Sequence, residues 1–199
     1  MKKALSLVAA LGLTALMSVN ASAAPKPSIE DPVGDSNFVN DQGSGDGSFG
    51  DFNQADAGTV SDILAVTFWN NAKTLYINVE TEAAPPAATG IGYRVRVNPD
   101  GAGGAHCLAF EVYHPGANNA LTTPVGYLRD TCAGGDPVPI KIVGTQWEIP
   151  RSANEAFGKG KKLVAPQAQA FLYSGNESAG TTYPVADTTK VGTDFAFKK

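Results

Sequence analysis

The sequence of 199 residues has few of the residues that catalytic and transition-metal sites use most, with two cysteines and two histidines in the whole chain. His106 and His114 have no partner at the spacing of metal ligands, and no Gly-x-Ser-x-Gly segment supplies a serine nucleophile. We therefore interpret both histidines as surface residues and predict no catalytic residue. A carboxylate pair for glycoside hydrolysis stays open, because any two acidic residues can form one.

Apolar runs long enough to cross a membrane are also missing. Lys2 and Lys3 precede an apolar run over residues 4–19, which is shorter than the roughly 20 residues that a membrane span needs. The small residues Ala21-Ser22-Ala23 follow it as a cleavage site. The pattern predicts a signal peptide over residues 1–23 and a secreted or periplasmic protein, with an uncleaved anchor as the alternative.

Positive charge is scarce after the leader. Without Lys2 and Lys3, 13 basic residues stand against 19 acidic ones, a net charge of −6. This balance excludes nucleic acid as a partner, because such binding depends on neutralising phosphates. No Lys or Arg occurs between Lys26 and Lys73, and the acidic residues of that stretch are Glu30, Asp31, Asp35, Asp41, Asp46, Asp51, Asp56 and Asp62.

The two cysteines, Cys107 and Cys132, are separated by 24 residues. In an exported protein an even pair predicts a disulfide. Closing a loop of this size stabilises the folded state by about 3 kcal/mol in the chain-entropy model. A metal pair or two free thiols stay open as alternatives, although zinc sites space their cysteines more closely.

Short runs of alternating apolar and polar residues fill most of the remaining chain and favour an all-β fold. We count about eight strands and predict a two-layer antiparallel β-sandwich, jelly-roll or immunoglobulin-like, formed by a single domain over residues 24–199. Segment 150–158 predicts one helical turn, with Ser152 as N-cap and Glu155 at the capping-box position. The predicted inward rows are Leu64, Val66 and Phe68; Leu75, Ile77 and Val79; Ile91, Tyr93, Val95 and Val97; and Leu108, Phe110 and Val112.

Four segments, DPVGD at 31–35, SDILAVTFWNNAKTLYINVE at 61–80, WEIPRSANEAFGKGKKLVAPQAQAF at 147–171 and DTTKVGTDFAF at 187–197, carry a resemblance. They resemble the secreted β-sandwiches of DOMON domains and family-9 carbohydrate-binding modules, and the carboxy-terminal module of glucodextranase-type enzymes. The resemblance implies a jelly-roll-like sandwich with structural calcium near the amino-terminal loop and a sugar or haem on one face. The family's Met/His haem site does not fit, because Met1 and Met17 belong to the predicted signal peptide.

The long acidic, glycine-rich loop over residues 30–60 is the predicted place for a cation, because carboxylates held together repel one another unless they are neutralised. Calcium takes six to eight oxygen ligands from carboxylates, carbonyls and water. Asp31, Asp35 and Asp62 match the acidic positions of the resemblance and are the predicted calcium ligands. The loop lacks the order of an EF-hand, and a solvated acidic loop stays open as the alternative.

Trp69 and Trp147 are the candidate ligand-binding residues, since sugars pack their C–H faces on aromatic rings. Trp69 follows the row of Leu64, Val66 and Phe68 on the opposite side of its strand, which favours an outward position. Packing in the core or at its rim is the alternative for both rings. We therefore expect a non-catalytic exported module that binds extracellular carbohydrate, or a structural envelope or matrix protein, with a small secreted hydrolase ranked last.

Overall fold

The computed structural model describes residues 25–34, 36, 60–84, 90–100, 106–116, 121–172 and 185–198. The predicted signal peptide, the candidate ligand Asp35 and most of the acidic loop over residues 30–60 lie outside the described residues. The disulfide, both tryptophans and the other two candidate calcium ligands lie within them.

Eleven strands and two short 3-10 helices are found within the described residues. The strands are β1 (Ile29–Glu30), β2 (Ile63–Asn70), β3 (Thr74–Thr81), β4 (Ile91–Pro99), β5 (Leu108–Tyr113), β6 (Val125–Asp130), β7 (Val138–Val143), β8 (Gln146–Pro150), β9 (Lys162–Leu172), β10 (Val185–Thr188) and β11 (Phe195–Ala196). The prediction of an all-β chain is confirmed. The count of about eight strands was too low, because β1, β10 and β11 are only two to four residues long.

Every strand pair is antiparallel, and the strands follow the order β1-β2-β3-β8-β7-β6-β5-β4-β9-β10, with β11 added to β9. Strand β7 joins two parts of this curled sheet. Its residues 138–140 pair with β6, whereas its residues 141–143 pair with β8. We call β1, β2, β3 and β8 the first half-sheet, and β4, β5, β6, β9, β10 and β11 the second half-sheet.

Buried side chains from both half-sheets pack into one hydrophobic cluster. Hydrogen bonds also connect the second half-sheet to β2 and to the segment before it: the Ile63 N–H donates to Asp187 Oδ2 at 2.9 Å, and the Tyr93 hydroxyl donates to the Val60 carbonyl at 2.5 Å. The predicted inward rows are buried apart from Leu64, which is half-buried. The pairing of β2 with β3 shifts by one residue between Ile63 and Ala65, and this bulge turns Leu64 away from the row.

The predicted disulfide is confirmed. Cys107 and Cys132 are bonded, with their Cα atoms 5.0 Å apart. The bridge ties the start of β5 to the turn after β6, where the Thr131 N–H also donates to the Cys107 carbonyl at 2.7 Å. This covalent link lies entirely within the second half-sheet.

The segment after β8 differs from the predicted helical turn. It forms two 3-10 helices, Arg151–Ala153 and Glu155–Phe157. Asn154, not Ser152, provides the cap, because its side chain accepts a hydrogen bond from the Ala156 N–H. Among the described residues, no helix combines the length and apolar character that crossing a membrane requires.

Candidate functional site

Trp69 lies on the outer face of the first half-sheet, as its place in the alternation predicts. It pairs across the sheet with Tyr76, and Tyr76 pairs in turn with Glu148. The rings of Trp69 and Tyr76 are stacked, with centroids 5.2 Å apart and planes inclined by 10°. Both rings are half-buried, so an aromatic surface reaches solvent beside a carboxylate.

Polar side chains frame this ring pair. Asn71 Nδ2 donates to the Tyr76 hydroxyl at 2.9 Å, and Gln146 Nε2 donates to Glu148 Oε1 at 3.1 Å. Lys141 Nζ approaches Glu148 Oε2 at 2.9 Å from the neighbouring strand. We call the surface formed by Trp69, Tyr76, Asn78, Gln146 and Glu148 the aromatic platform. It combines an apolar ring surface with amide and carboxylate groups, as sites for polyhydroxylated ligands do.

Trp147 lies on the opposite face of the same half-sheet and is only 3% exposed. It lines a cavity of about 410 Å³ together with Val79, Tyr93, Pro124 and His114. The two candidate tryptophans therefore do not share one site: Trp69 faces solvent and Trp147 faces the interior. Sequence alternation separates Trp69 from its inward neighbours but does not reveal the cavity beside Trp147.

The two histidines, predicted to be surface residues, are both half-buried. Burial lowers the pKa of His114 below its usual value, which keeps its imidazole neutral at pH 7. Its ring meets Tyr93 edge-on, with centroids 5.6 Å apart. His106 Nε2 lies 3.0 Å from the Ala165 carbonyl.

Asp62, one of the predicted calcium ligands, is buried at the start of β2 with 1% exposure. Its Oδ2 accepts a hydrogen bond from the Gly34 N–H at 2.7 Å. Its Oδ1 is buried and accepts no hydrogen bond within the described part of the chain. Asp31, which directly follows β1, lies in the same region as Asp62. Its N–H donates to the Leu64 carbonyl at 2.9 Å, two residues after Asp62.

Asp187 also reaches this region and was missed in the sequence. It is 5% exposed, and its Oδ2 accepts from the Ile63 N–H, one residue after Asp62. The only available signal was an acidic residue inside the late segment 187–197. In the described ranges, no three His, Cys, Asp or Glu side chains are arranged to hold a metal ion.

A third buried carboxylate, Glu111, lies on the outer face of the second half-sheet. Glu111 Oε1 accepts from Arg94 Nε at 2.5 Å, and Glu111 Oε2 accepts from Arg129 Nε at 2.7 Å and from the Tyr113 hydroxyl at 2.7 Å. The outward position of Arg94 and Arg96 follows from alternation along β4, and both lie outside the core cluster. The contact of Arg94 with Glu111 depends on strand order, which the sequence does not specify.

Comparison of the chain with protein-family models, with curated proteins and with solved structures finds no match.

Proposed function

We propose that this chain is a non-catalytic, exported binding module that takes extracellular carbohydrate on the aromatic platform. The observation that carries the proposal is the stacked Trp69–Tyr76 pair on the solvent face of the first half-sheet. A half-buried tryptophan on an outer sheet face does not contribute to the core, and its exposed area costs solvation free energy until a ligand covers it.

The chemistry of the platform suits a sugar. The C–H faces of a pyranose pack on aromatic rings, and its hydroxyl groups exchange hydrogen bonds with side chains at the rim. Glu148 supplies acceptors, while Asn78 and Gln146 supply both donors and acceptors. Asn78 on β3 pairs with Gln146 on β8, and Glu148 on β8 pairs with Tyr76. Tyr76 in turn pairs with Trp69, so all three polar residues lie beside the rings.

We also propose how the two half-sheets are arranged. The two half-sheets would form the two layers of a β-sandwich, jelly-roll or immunoglobulin-like, around the shared cluster. The order of strands, with β7 passing from one part to the other, supports this arrangement. Such a sandwich agrees with the resemblance to DOMON domains and family-9 carbohydrate-binding modules, and the signal-peptide pattern of residues 1–23 supports export.

Calcium is the proposed stabilising ion. Asp62 Oδ1 is a buried carboxylate oxygen without a hydrogen bond in the described part of the chain, and leaving such an oxygen unsatisfied costs about 1–3 kcal/mol. A hard cation would satisfy it, with Asp31, Asp35, backbone carbonyls and water as further oxygen ligands. The ion would then fix the N-terminal segment against β2.

A binding experiment tests the carbohydrate proposal. Immobilised neutral and acidic polysaccharides are presented to the wild-type protein and to Trp69→Ala. We expect Trp69→Ala to weaken binding by at least about tenfold, since the packing surface for the sugar is lost. Tyr127→Ala, which removes a half-buried ring from the other half-sheet, is the control and retains binding to the neutral polysaccharides.

Two outcomes would contradict carbohydrate binding on the aromatic platform. If the wild-type protein binds no glycan, or if Trp69→Ala binds as tightly as the wild type, the platform is not a carbohydrate site. A structural role in the envelope or matrix then becomes the better account. Hydrolysis of any tested polysaccharide would instead favour the secreted hydrolase.

Calorimetry with calcium and with a chelator tests the ion. A ligand that binds only the folded state at 100 times its Kd stabilises it by about 2.7 kcal/mol, so removal is expected to lower Tm by roughly 5 °C or more. Asp62→Asn should abolish this calcium-dependent shift, whereas the exposed control Asp136→Asn should retain it. An identical Tm with and without chelator would contradict the calcium proposal.

A further inference from the structure

The outer face of the second half-sheet concentrates positive charge in a chain whose formal net charge is −4. Arg94 and Arg96 lie two residues apart on β4, and Arg129 lies on β6. Between these strands, β5 contributes one carboxylate, Glu111. We call these four residues the arginine face. Three guanidinium groups and one carboxylate leave an excess of two positive charges there.

Two of the guanidinium groups are held in place from within the protein. Arg94 and Arg129 bind the two oxygens of Glu111 through their Nε atoms. Each also lies over an aromatic ring: Arg94 Cζ is 4.9 Å from the centroid of Phe171, and Arg129 Cζ is 5.7 Å from that of Tyr127. These contacts fix both guanidinium planes before any ligand arrives.

The fixed arginines keep most of their donors. An arginine has five N–H donors, and within the described ranges Arg94 and Arg129 use the Nε–H of each to bind Glu111. Arg129 also contacts the Tyr113 hydroxyl. The other terminal amino donors of both arginines make no hydrogen bond within the described residues, so they can bind an external acceptor. Planar guanidinium groups match oxyanions with paired N–H···O bonds, so these donors suit such a ligand.

Arg96 is the third member, and it has no counter-ion of its own within the described residues. It pairs across the sheet with Ala109, and Ala109 pairs with Arg129, so a small buried side chain separates the two arginines in this row. In the described part of the chain, the Arg96 guanidinium makes no hydrogen bond and no ion pair. Burial, and then the charge of Arg94, lower its pKa from its usual value, and the charge of Glu111 offsets only part of this shift.

We propose that the arginine face binds an oxyanion group, a carboxylate, sulfate or phosphate, through Arg96 and the terminal amino groups of Arg94 and Arg129. An anion there would give Arg96 a partner and offset the repulsion between Arg94 and Arg96. The site lies on the half-sheet that does not carry the aromatic platform, so it is separate from the carbohydrate surface proposed above.

Thermal unfolding in low millimolar inorganic sulfate, with sodium chloride of equal ionic strength as reference, tests the site on the folded protein. Sulfate is expected to raise the Tm of the wild type above its value in chloride. Arg96→Gln should abolish this difference while leaving Tm without sulfate equal to or above that of the wild type. Lys159→Gln, which removes one exposed positive charge elsewhere, should respond like the wild type.

Titration with polymers then separates a free ion from a group carried on a larger ligand. Dextran sulfate, polygalacturonate and unmodified dextran are compared as probes. Tighter binding of either acidic polymer than of inorganic sulfate, lost by roughly tenfold in Arg96→Gln, assigns the group to a polymer. Binding of sulfate alone assigns the site to a free oxyanion.

Three results would overturn the site. The first is an equal response of wild type and Arg96→Gln to sulfate and to both acidic polymers. The second is an equal loss in Lys159→Gln, which would indicate attraction to overall charge rather than to the arginine face. The third is unmodified dextran competing fully with the acidic polymers. Trp69→Ala distinguishes the two proposals, because it removes the platform and leaves the arginine face intact.

Discussion

The two outer faces of this molecule are both built from alternating strands, but they differ in how far their polar side chains are exposed to solvent. On the first half-sheet, the side chain of Glu148 is 25% exposed, and that of its partner Lys141 on β7 is 71% exposed. On the second, the side chains of Glu111 and Arg94 are 5% and 19% exposed. Tyr76 is half-buried on one face, and Tyr113 is buried on the other. An alternating pattern therefore assigns a side chain to a face but not to solvent.

The difference arises from the neighbours of each residue in its row. Gly92 has no side chain, and the Phe171 ring occupies the space where its Cβ would lie, 2.4 Å from the ring atoms. Phe171 then packs edge-on against Tyr113 at 5.7 Å between centroids, and Tyr113 binds Glu111. Rings thus help to bury the carboxylate of the second half-sheet. In the first half-sheet, the cross-strand neighbour of Glu148 is instead the exposed Lys141 of β7.

The largest expected contrast is between the two glutamates. Glu111→Gln removes the charge that Arg94 and Arg129 share, and uncompensated buried cations typically cost about 3–5 kcal/mol. Because both arginines are partly exposed, we expect a loss of about 3 kcal/mol in the free energy of unfolding, at the low end of that range. Glu148→Gln breaks an exposed pair and should cost at most about 1 kcal/mol. Urea unfolding midpoints of the two variants measure the difference.

Equal destabilisation by the two substitutions would contradict this account of burial. It would mean that water reaches Glu111 as freely as Glu148. A stabilising effect of Glu111→Gln would show that desolvation of the ion pairs outweighs their attraction.

A smaller contrast is expected between two tyrosines. Tyr113→Phe removes a buried hydroxyl that donates to Glu111 at 2.7 Å, and hydrogen bonds to charged groups contribute about 1.5–3 kcal/mol. Tyr76→Phe removes a hydroxyl whose bond to Asn71 is exposed, and its cost should stay below about 0.5 kcal/mol. Both changes preserve the ring, so the free energies of unfolding compare the hydroxyl groups alone. A cost for Tyr76→Phe as large as that for Tyr113→Phe would remove the distinction between the faces.

The strands and the disulfide were accessible to sequence reasoning because their signals are local. Inward rows such as Leu75, Ile77 and Val79 follow from a period of two, and Cys107 and Cys132 are the only pair available. Leu64 departs from this period. A one-residue bulge moves it out of the row, and no turn residue in the sequence marks that irregularity.

The site residues were harder to predict because they meet through strand order. Glu111 is 17 residues from Arg94 and 18 from Arg129, and the three converge only because β5 lies between β4 and β6. Asp187 reaches Ile63 across 124 residues. Alternation placed Trp69 outside, but its stacking on Tyr76 requires the hairpin register, which the loop length alone does not fix.

The smallest expected contrast lies in alkaline solution. Burial, and then the charge of Glu111, raise the pKa of Tyr113 above its usual value. The unfolded chain therefore releases the Tyr113 proton near its ordinary pKa of about 10, while the folded chain retains it. The stabilisation is complete below about pH 10 and is lost as the pH rises further.

We expect Tyr113→Phe to have a shallower decline of the urea midpoint between about pH 9.5 and 11 than Tyr76→Phe. A residual slope remains in both variants, because burial also raises the pKa of Tyr93. Identical slopes would show that the Tyr113 hydroxyl ionises equally in the folded and unfolded chains, and hence that the second outer face is wetter than its packing indicates.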